Sequence, residues 1–117
     1  MLDDALSPIL ARLMDVSSLR ARTHATNLAN QNTPGYRSKA VDFDEEFQRA
    51  FAAGDDVTKI EARLYEPRDS SVGADGNDVE SHREVLESAE NASLYNTYIA
   101  LARGRHQLTR TAISPAP

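Results

Sequence analysis

The chain has 117 residues, enough for one domain, and its 24 Leu, Ile, Val and Phe residues sit near the composition at which apolar burial only just offsets chain entropy. Its net charge of −5 divides into +2 over residues 1–40, −10 over 41–90 and +3 over 91–117, with no dense Lys/Arg cluster of the kind that grips nucleic acid. The absence of Cys excludes a disulfide framework, Cys-zinc sites and thiol catalysis.

Met1-Leu2-Asp3-Asp4 lacks the basic start of a secretory signal, and no apolar run approaches the ~20 residues of a bilayer span. Work outside the cytoplasm would therefore need a route other than a cleaved signal. The first expected element is a helix. Ser7 suits the N-cap and Pro8 the first helical position. Leu6, Ile9, Leu10, Leu13, Val16 and Leu19 recur at helical spacing on one face. Beyond Thr23 the pattern turns small and polar, and Thr33-Pro34-Gly35 ends the element. From Ser7 to Asn30 the helix would run about 36 Å.

Within Val41–Phe51, Phe43, Phe47 and Phe51 fall four residues apart, which predicts a short amphipathic helix with Glu45 and Arg49 as an i,i+4 pair. Gly54-Asp55-Asp56 reads as a turn, Val57–Tyr65 as an extended segment or hairpin arm, and Pro67–Asn77 as a mobile loop rich in Ser, Gly and Asp. A long helix follows. Asn77 with Glu80 forms a box-like start, with a second such start at Ser81 and Glu84. The helix would run about 50 Å to about Ile113, stopped by Pro115 and Pro117. Leu86, Ala89, Leu94, Tyr98, Leu101, Leu108 and Ala112 lie near one stripe. So long a helix cannot cover that stripe within a chain this size unless it pairs lengthwise. The N-terminal helix is the natural partner inside the chain, and other copies are natural partners outside it.

No reactive constellation stands out. His24 and His106 lie on the two terminal helices, whose pairing would bring them together, but neither has a metal ligand at a suitable spacing. Glu80 and Glu84 point away from His82 on a helix. The runs Asp42-Asp44-Glu45-Glu46 and Asp55-Asp56 look solvated, not tuned for acid–base work. Asp75–Glu80 lacks the twelve-residue calcium-loop pattern. There is no phosphate-cradling Gly loop, and Asp69-Ser70-Ser71 with a distant His is no triad signal. No catalytic, cofactor or metal site is expected. Gly104, between Arg103 and Arg105, reads either as drift or as a point of close approach by a neighbouring helix, because Gly inside a helix costs about 1 kcal/mol against Ala.

The most specific string is Asn27-Leu28-Ala29-Asn30-Gln31-Asn32-Thr33-Pro34-Gly35-Tyr36. It resembles the Asn-Leu/Ile-Ala-Asn-x-x-Thr-Pro-Gly-Tyr/Phe signature of the bacterial flagellar rod and hook proteins, matching all eight fixed positions without a gap. The resemblance implies a mainly α-helical single rod-type domain over residues 1–117. An N-terminal helix would span 1–33, a turn, short helix and loop 34–76, and a C-terminal helix 77–114. The two terminal helices would pair as a coiled-coil-like inner domain, and meet neighbouring copies, through Leu6, Ile9, Leu13, Val16, Leu86, Leu94, Tyr98, Leu101, Gly104 and Leu108. The Asp75-Gly76-Asn77-Asp78-Val79-Glu80 start and the Arg103-Gly104-Arg105 and Ala112-Ile113 ending look like the short FlgB type of the proximal rod rather than the FlgC type. His82 departs from what is usual there.

The resemblance further implies export through the flagellar type III apparatus. Its implied partners are other copies, rod proteins of the FlgC and FlgF types, the FliE-type adaptor, and the MS ring and export gate. Phe43 and Phe47 resemble the Phe-x-x-x-apolar export-gate motif, beside their reading as core residues. The alternative is a small helical export chaperone or adaptor. It would fold alone as a dimer, whereas a rod subunit would be a poorly ordered monomer.

Overall fold

A computed structural model describes residues 2–68 and 71–113. The fold is mainly helical: α1 (Leu2–Ala29), β1 (Ala40–Asp42), α2 (Asp44–Ala53), a single 3₁₀ turn at Val57–Lys59, β2 (Arg63–Tyr65) and α3 (Ser81–Ile113). The two long helices lie side by side in a body of 68 × 33 × 14 Å, with β1, α2 and β2 carried as a side module.

α1 begins earlier than its capping signals predict. It includes Ser7 and carries Pro8 in its interior. Pro8 lacks only the one amide that would have reached Asp4, close to an end where intrahelical bonds are already missing, so the helix tolerates it. Leu10 and Val16 are buried, Ile9, Leu13 and Leu19 are half-buried, and Leu6 is exposed. After Ala29 the chain winds through tight turns. The Asn30 amide bonds the Thr26 and Asn27 carbonyls, and the Gln31 amide bonds the Leu28 carbonyl.

The phenylalanine helix forms, but Val41 and Asp42 do not belong to it. They pair antiparallel with Leu64 and Arg63, and Ala40 with Tyr65, in the β1–β2 ribbon. α2 therefore starts at Asp44, where three acidic residues complement the helix dipole. It closes on Gly54 in the left-handed conformation (φ 75°), whose amide bonds the Ala50 and Phe51 carbonyls. Among the described residues Asp44 pairs with Arg20 of α1 at 3.1 Å, while the expected Glu45–Arg49 pair does not form. Val57–Tyr65 splits into the 3₁₀ turn, capped by the Asp56 side chain, and strand β2. Arg12 of α1 donates from Nε to the Ile60 carbonyl at 2.8 Å and ties the side module down.

Within the Pro67–Asn77 segment, which the composition reads as a mobile loop, residues 69 and 70 lie outside the described residues. Residues 73–78 form a tightly bonded turn. The Gly73 amide donates to the Asn77 carbonyl at 2.7 Å, the Gly76 amide to the Gly73 carbonyl at 3.0 Å, and the Asn77 amide to Asp75 Oδ1 at 3.1 Å. This also moves the start of α3 from Asn77 to Ser81. The Asn77 Oδ1 accepts from the Val79 amide two residues on, a local bond that competes with helix. Pro115 and Pro117, the expected stops, lie outside the described residues.

α1 and α3 run antiparallel, because Ser17 faces Asn91 and, seven residues on, His24 faces Glu84, seven residues back. The face of α3 turned to α1 is Ser81, Glu84, Ser88, Asn91, Tyr95, Tyr98 and Ala102, spaced by threes and fours. It is mostly polar, and its large side chains are two tyrosines. Pairing inside the chain by the expected stripe is corrected accordingly: Leu86, Leu94, Leu101 and Leu108 are exposed, and of the large residues on that stripe only Tyr98 is half-buried. At about 100° per residue, Leu94, Leu101 and Leu108 sit roughly 60–100° around the helix from Asn91. The reason lies in what is bonded. Asn91 Nδ2 donates to the Ser17 carbonyl at 2.8 Å and Glu84 Oε2 meets His24 Nδ1 at 2.7 Å, and these bonds hold the polar face inward. His24 thus meets Glu84, not His106.

Candidate functional site

The signature string forms a polar clamp. Asn27, on the last turn of α1, is completely buried. Its Oδ1 accepts from the Tyr36 hydroxyl at 2.8 Å and the Lys39 amide at 3.0 Å, and its Nδ2 donates to the Lys39 carbonyl at 2.8 Å. One side chain thereby fixes the strand leaving the turn against the helix entering it. Asn30 Nδ2 bonds the Thr26 carbonyl, and the Thr33 hydroxyl donates to Asn30 Oδ1. Gly35 has φ 77° and Gly76 φ 82°, and the two backbones touch: a Cβ on Gly76 would lie 3.4 Å from the Gly35 Cα. The Gly35 amide donates to the Asp75 carbonyl at 2.8 Å. Leu28 is half-buried, while Ala29 and Pro34 are exposed.

The second half of the clamp comes from the turn before α3. Asn77 Nδ2 donates to the Asn30 and Thr33 carbonyls, each at 2.8 Å, which caps the end of α1. Asp78 is buried with a fully enclosed side chain. Its Oδ1 accepts from the Ser38 amide at 2.5 Å, and its Oδ2 pairs with Arg37 Nε at 3.1 Å. Burial raises the Tyr36 phenol above its usual value. Lys39 opposes this, and Glu84 and Asp78 reinforce it, so the hydroxyl remains a donor to Asn27. Capping chemistry reads Asn77 as a helix start, and the clamp role of Asn77 and Asp78 has no local signal, because their partners lie some 40 residues away.

The remaining features are surfaces. Leu94, Leu101 and Leu108, at seven-residue intervals, form an exposed apolar seam on α3. Among the described residues no atom lies within 4 Å of a Cβ built on Gly104. Phe43 is buried, its ring 5.3 Å from that of half-buried Phe47, while Phe51 is exposed. A groove of about 860 Å³ lies between the first half of α3, α1 and the β1–β2 ribbon. Among the described residues no group of three or more His, Asp or Glu is placed to hold a metal ion, and no helix is long and apolar enough to cross a membrane.

A helix pair locked at one end by a polar clamp, with an uncovered leucine seam along its length, defines a structural subunit of the helical rod class. No family model matches the chain. Curated relatives do. It is 34% identical over 116 residues, covering 88% of this chain and 89% of the relative, to the flagellar basal body rod protein FlgB of Cereibacter sphaeroides. It is 27% identical to FlgB of Escherichia coli K12, covering 87% of this chain and 90% of the relative, and 23% identical to FlgB of Bacillus subtilis, covering 90% of each. The chain belongs to the FlgB family of flagellar basal-body rod proteins and is a structural, non-enzymatic rod subunit. The export-chaperone alternative is thereby set aside.

Proposed function

We propose that this chain is a subunit of the proximal rod that is delivered unfolded by the flagellar type III apparatus and completes its packing only on joining the rod. The observation that carries this reading is the uncovered seam of Leu94, Leu101 and Leu108, together with exposed Leu86 and Leu6, in a chain with few buried apolar side chains among the described residues. Each large aliphatic side chain contributes about 1.5–3 kcal/mol when buried, so the seam is a strong source of association free energy. Its neighbours are other copies, rod proteins of the FlgC and FlgF types, the FliE-type adaptor, and the MS ring and export gate at the base. Close approach of a neighbouring subunit at Gly104 fits the open space there. Contacts between unlike patches of successive copies build a helical tube rather than a closed ring.

The test is fractionation of basal bodies from cells carrying a tagged copy, beside far-UV circular dichroism of the purified chain. The tag is expected in the rod fraction, with a free monomer that folds but is only marginally stable and loses its helicity at low urea. A Gly35→Val copy should be lost from that fraction, because a β-branched residue at φ 77° costs about 1–2 kcal/mol or more and misplaces the clamp. A stable, fully helical dimer confined to the cytoplasm would overturn the proposal.

A further inference from the structure

The contact between the two long helices is built against its own stability. His24 Nδ1 donates to Glu84 Oε2 at 2.7 Å, and the two side chains are only 12% and 9% exposed. Two turns further along α3, Asn91 Nδ2 donates to the Ser17 carbonyl at 2.8 Å, and both residues are buried. Asn91 Oδ1 is buried and has no hydrogen-bond partner among the described residues. Enclosing a carboxylate and leaving an acceptor unbonded both cost free energy that apolar residues of similar size would not.

An apolar alternative lies a small rotation away. Leu6, Leu10 and Leu13 stand three and four residues apart in line with Ser17 and His24, the α1 residues that face α3. The numbers of both facing pairs add to 108, so Leu94 and Leu101 are level with Met14 and Ser7, beside that leucine row. They sit roughly 60° and 80° around α3 from Asn91. Turning α3 about its own axis by that angle shifts its backbone by about 3 Å and lays both leucines on α1. In the structure they remain 48% and 52% exposed.

We infer that the pairs Glu84–His24 and Asn91–Ser17 form a rotational lock on α3, which holds Leu94, Leu101 and Leu108 outside when the apolar row of α1 would otherwise take up the first two. Glu84 and Asn91 lie two turns apart on one face, so a turn of the helix breaks both pairs together and leaves a carboxylate and an amide without partners. An apolar contact has no such preference for one orientation. The lock is a property of the free chain; what the outward seam is for rests on the rod-subunit reading.

The chain has no Cys, so single reporters can follow the orientation of α3. Leu101→Cys lies on the seam, and Ser88→Cys lies on the half-buried face turned to α1. Their rates of reaction with N-ethylmaleimide are measured in the purified chain, with and without Glu84→Ala and Asn91→Ala together. With the lock removed, Leu101→Cys should react at least threefold more slowly and Ser88→Cys faster by a similar factor, with the helical circular dichroism kept. Glu84→Gln, which keeps an acceptor for His24, should leave both rates native. Unchanged rates in the double variant would show that no lock exists. Acceleration at both reporters would show that the polar pairs hold the helices together without choosing a face, and either result would overturn the inference. In cells the double variant should fall at least tenfold in the rod fraction, and full incorporation would overturn the link between lock and assembly. Absence of the wild-type protein from basal bodies would overturn the rod reading and leave the labelling result standing.

Discussion

Asn27 ties the turn and the segment beyond it to the end of α1 through three hydrogen bonds. It is completely buried and uses its carbonyl twice and its amide once, on partners from the turn and from the strand beyond it. Replacing it with Ala would strand the Lys39 backbone and the Tyr36 hydroxyl, at about 1–3 kcal/mol for each buried group left unbonded. Tyr36 gives this clamp a pH dependence. Its folded pKa is raised above the ordinary value of 10.0, chiefly by burial. A raised value means that the protonated form, which donates to Asn27, is favoured by folding. Its contribution is therefore fully present below about pH 10 and is lost as pH rises through the higher folded value. Urea midpoints measured from about pH 8 to about pH 11 should fall more steeply for the native chain than for Tyr36→Phe. Parallel curves would show that the phenol does not anchor the clamp.

At the scale of elements, the phenylalanine helix bears two readings at once, as a piece of core and as an export signal. Phe43 is buried beside Phe47, and Ala50 and Val57 are buried with it in the side module. A folded chain therefore hides Phe43, and an export gate would meet it only before folding. Secretion separates the readings. Phe43→Ala is expected to lower the amount exported severalfold, whereas Val57→Ala, an equally buried position outside the motif, should destabilise the fold by about 1–3 kcal/mol and leave secretion unchanged. Equal secretion of both variants would reduce the motif to packing. The same elements show where sequence is a good guide and where it is not. The two long helices, the phenylalanine helix and the turn at Thr33–Gly35 follow from local periodicity and turn chemistry, which are written in neighbouring residues. The face by which α3 meets α1 does not. Periodicity nominates the leucines, but the buried positions are Glu84 and Asn91, decided by His24 and the Ser17 carbonyl far along the chain. Likewise Pro67–Asn77 has loop composition, and the long-range bonds of Asn77 and Asp78 tie its end to the turn after α1.

The whole molecule is too extended to be its own solvent shield. Its radius of gyration is 18.4 Å, against about 13 Å for a compact chain of this length. Its accessible surface is 8341 Å², against about 6300 Å² for an ordinary folded monomer of its mass. The difference, roughly 2000 Å², falls in the range buried by permanent protein interfaces. The exposed leucines are part of that excess, which separates folding of the single chain from assembly of the rod. Leu101 and Leu108 are 52% and 72% exposed, so changing both to Asp removes little intramolecular packing. The free chain should keep its stability to within about 0.5 kcal/mol, as surface substitutions usually do. In a filament the same change places two carboxylates in an apolar seam in every subunit, each at the cost of burying a charge without a partner. The double variant should therefore be secreted normally, unfold at the native urea midpoint and be missing from isolated rods, leaving cells non-motile. Motile cells with that variant in their rods would show that the seam faces solvent in the assembled shaft and that other surfaces join the subunits.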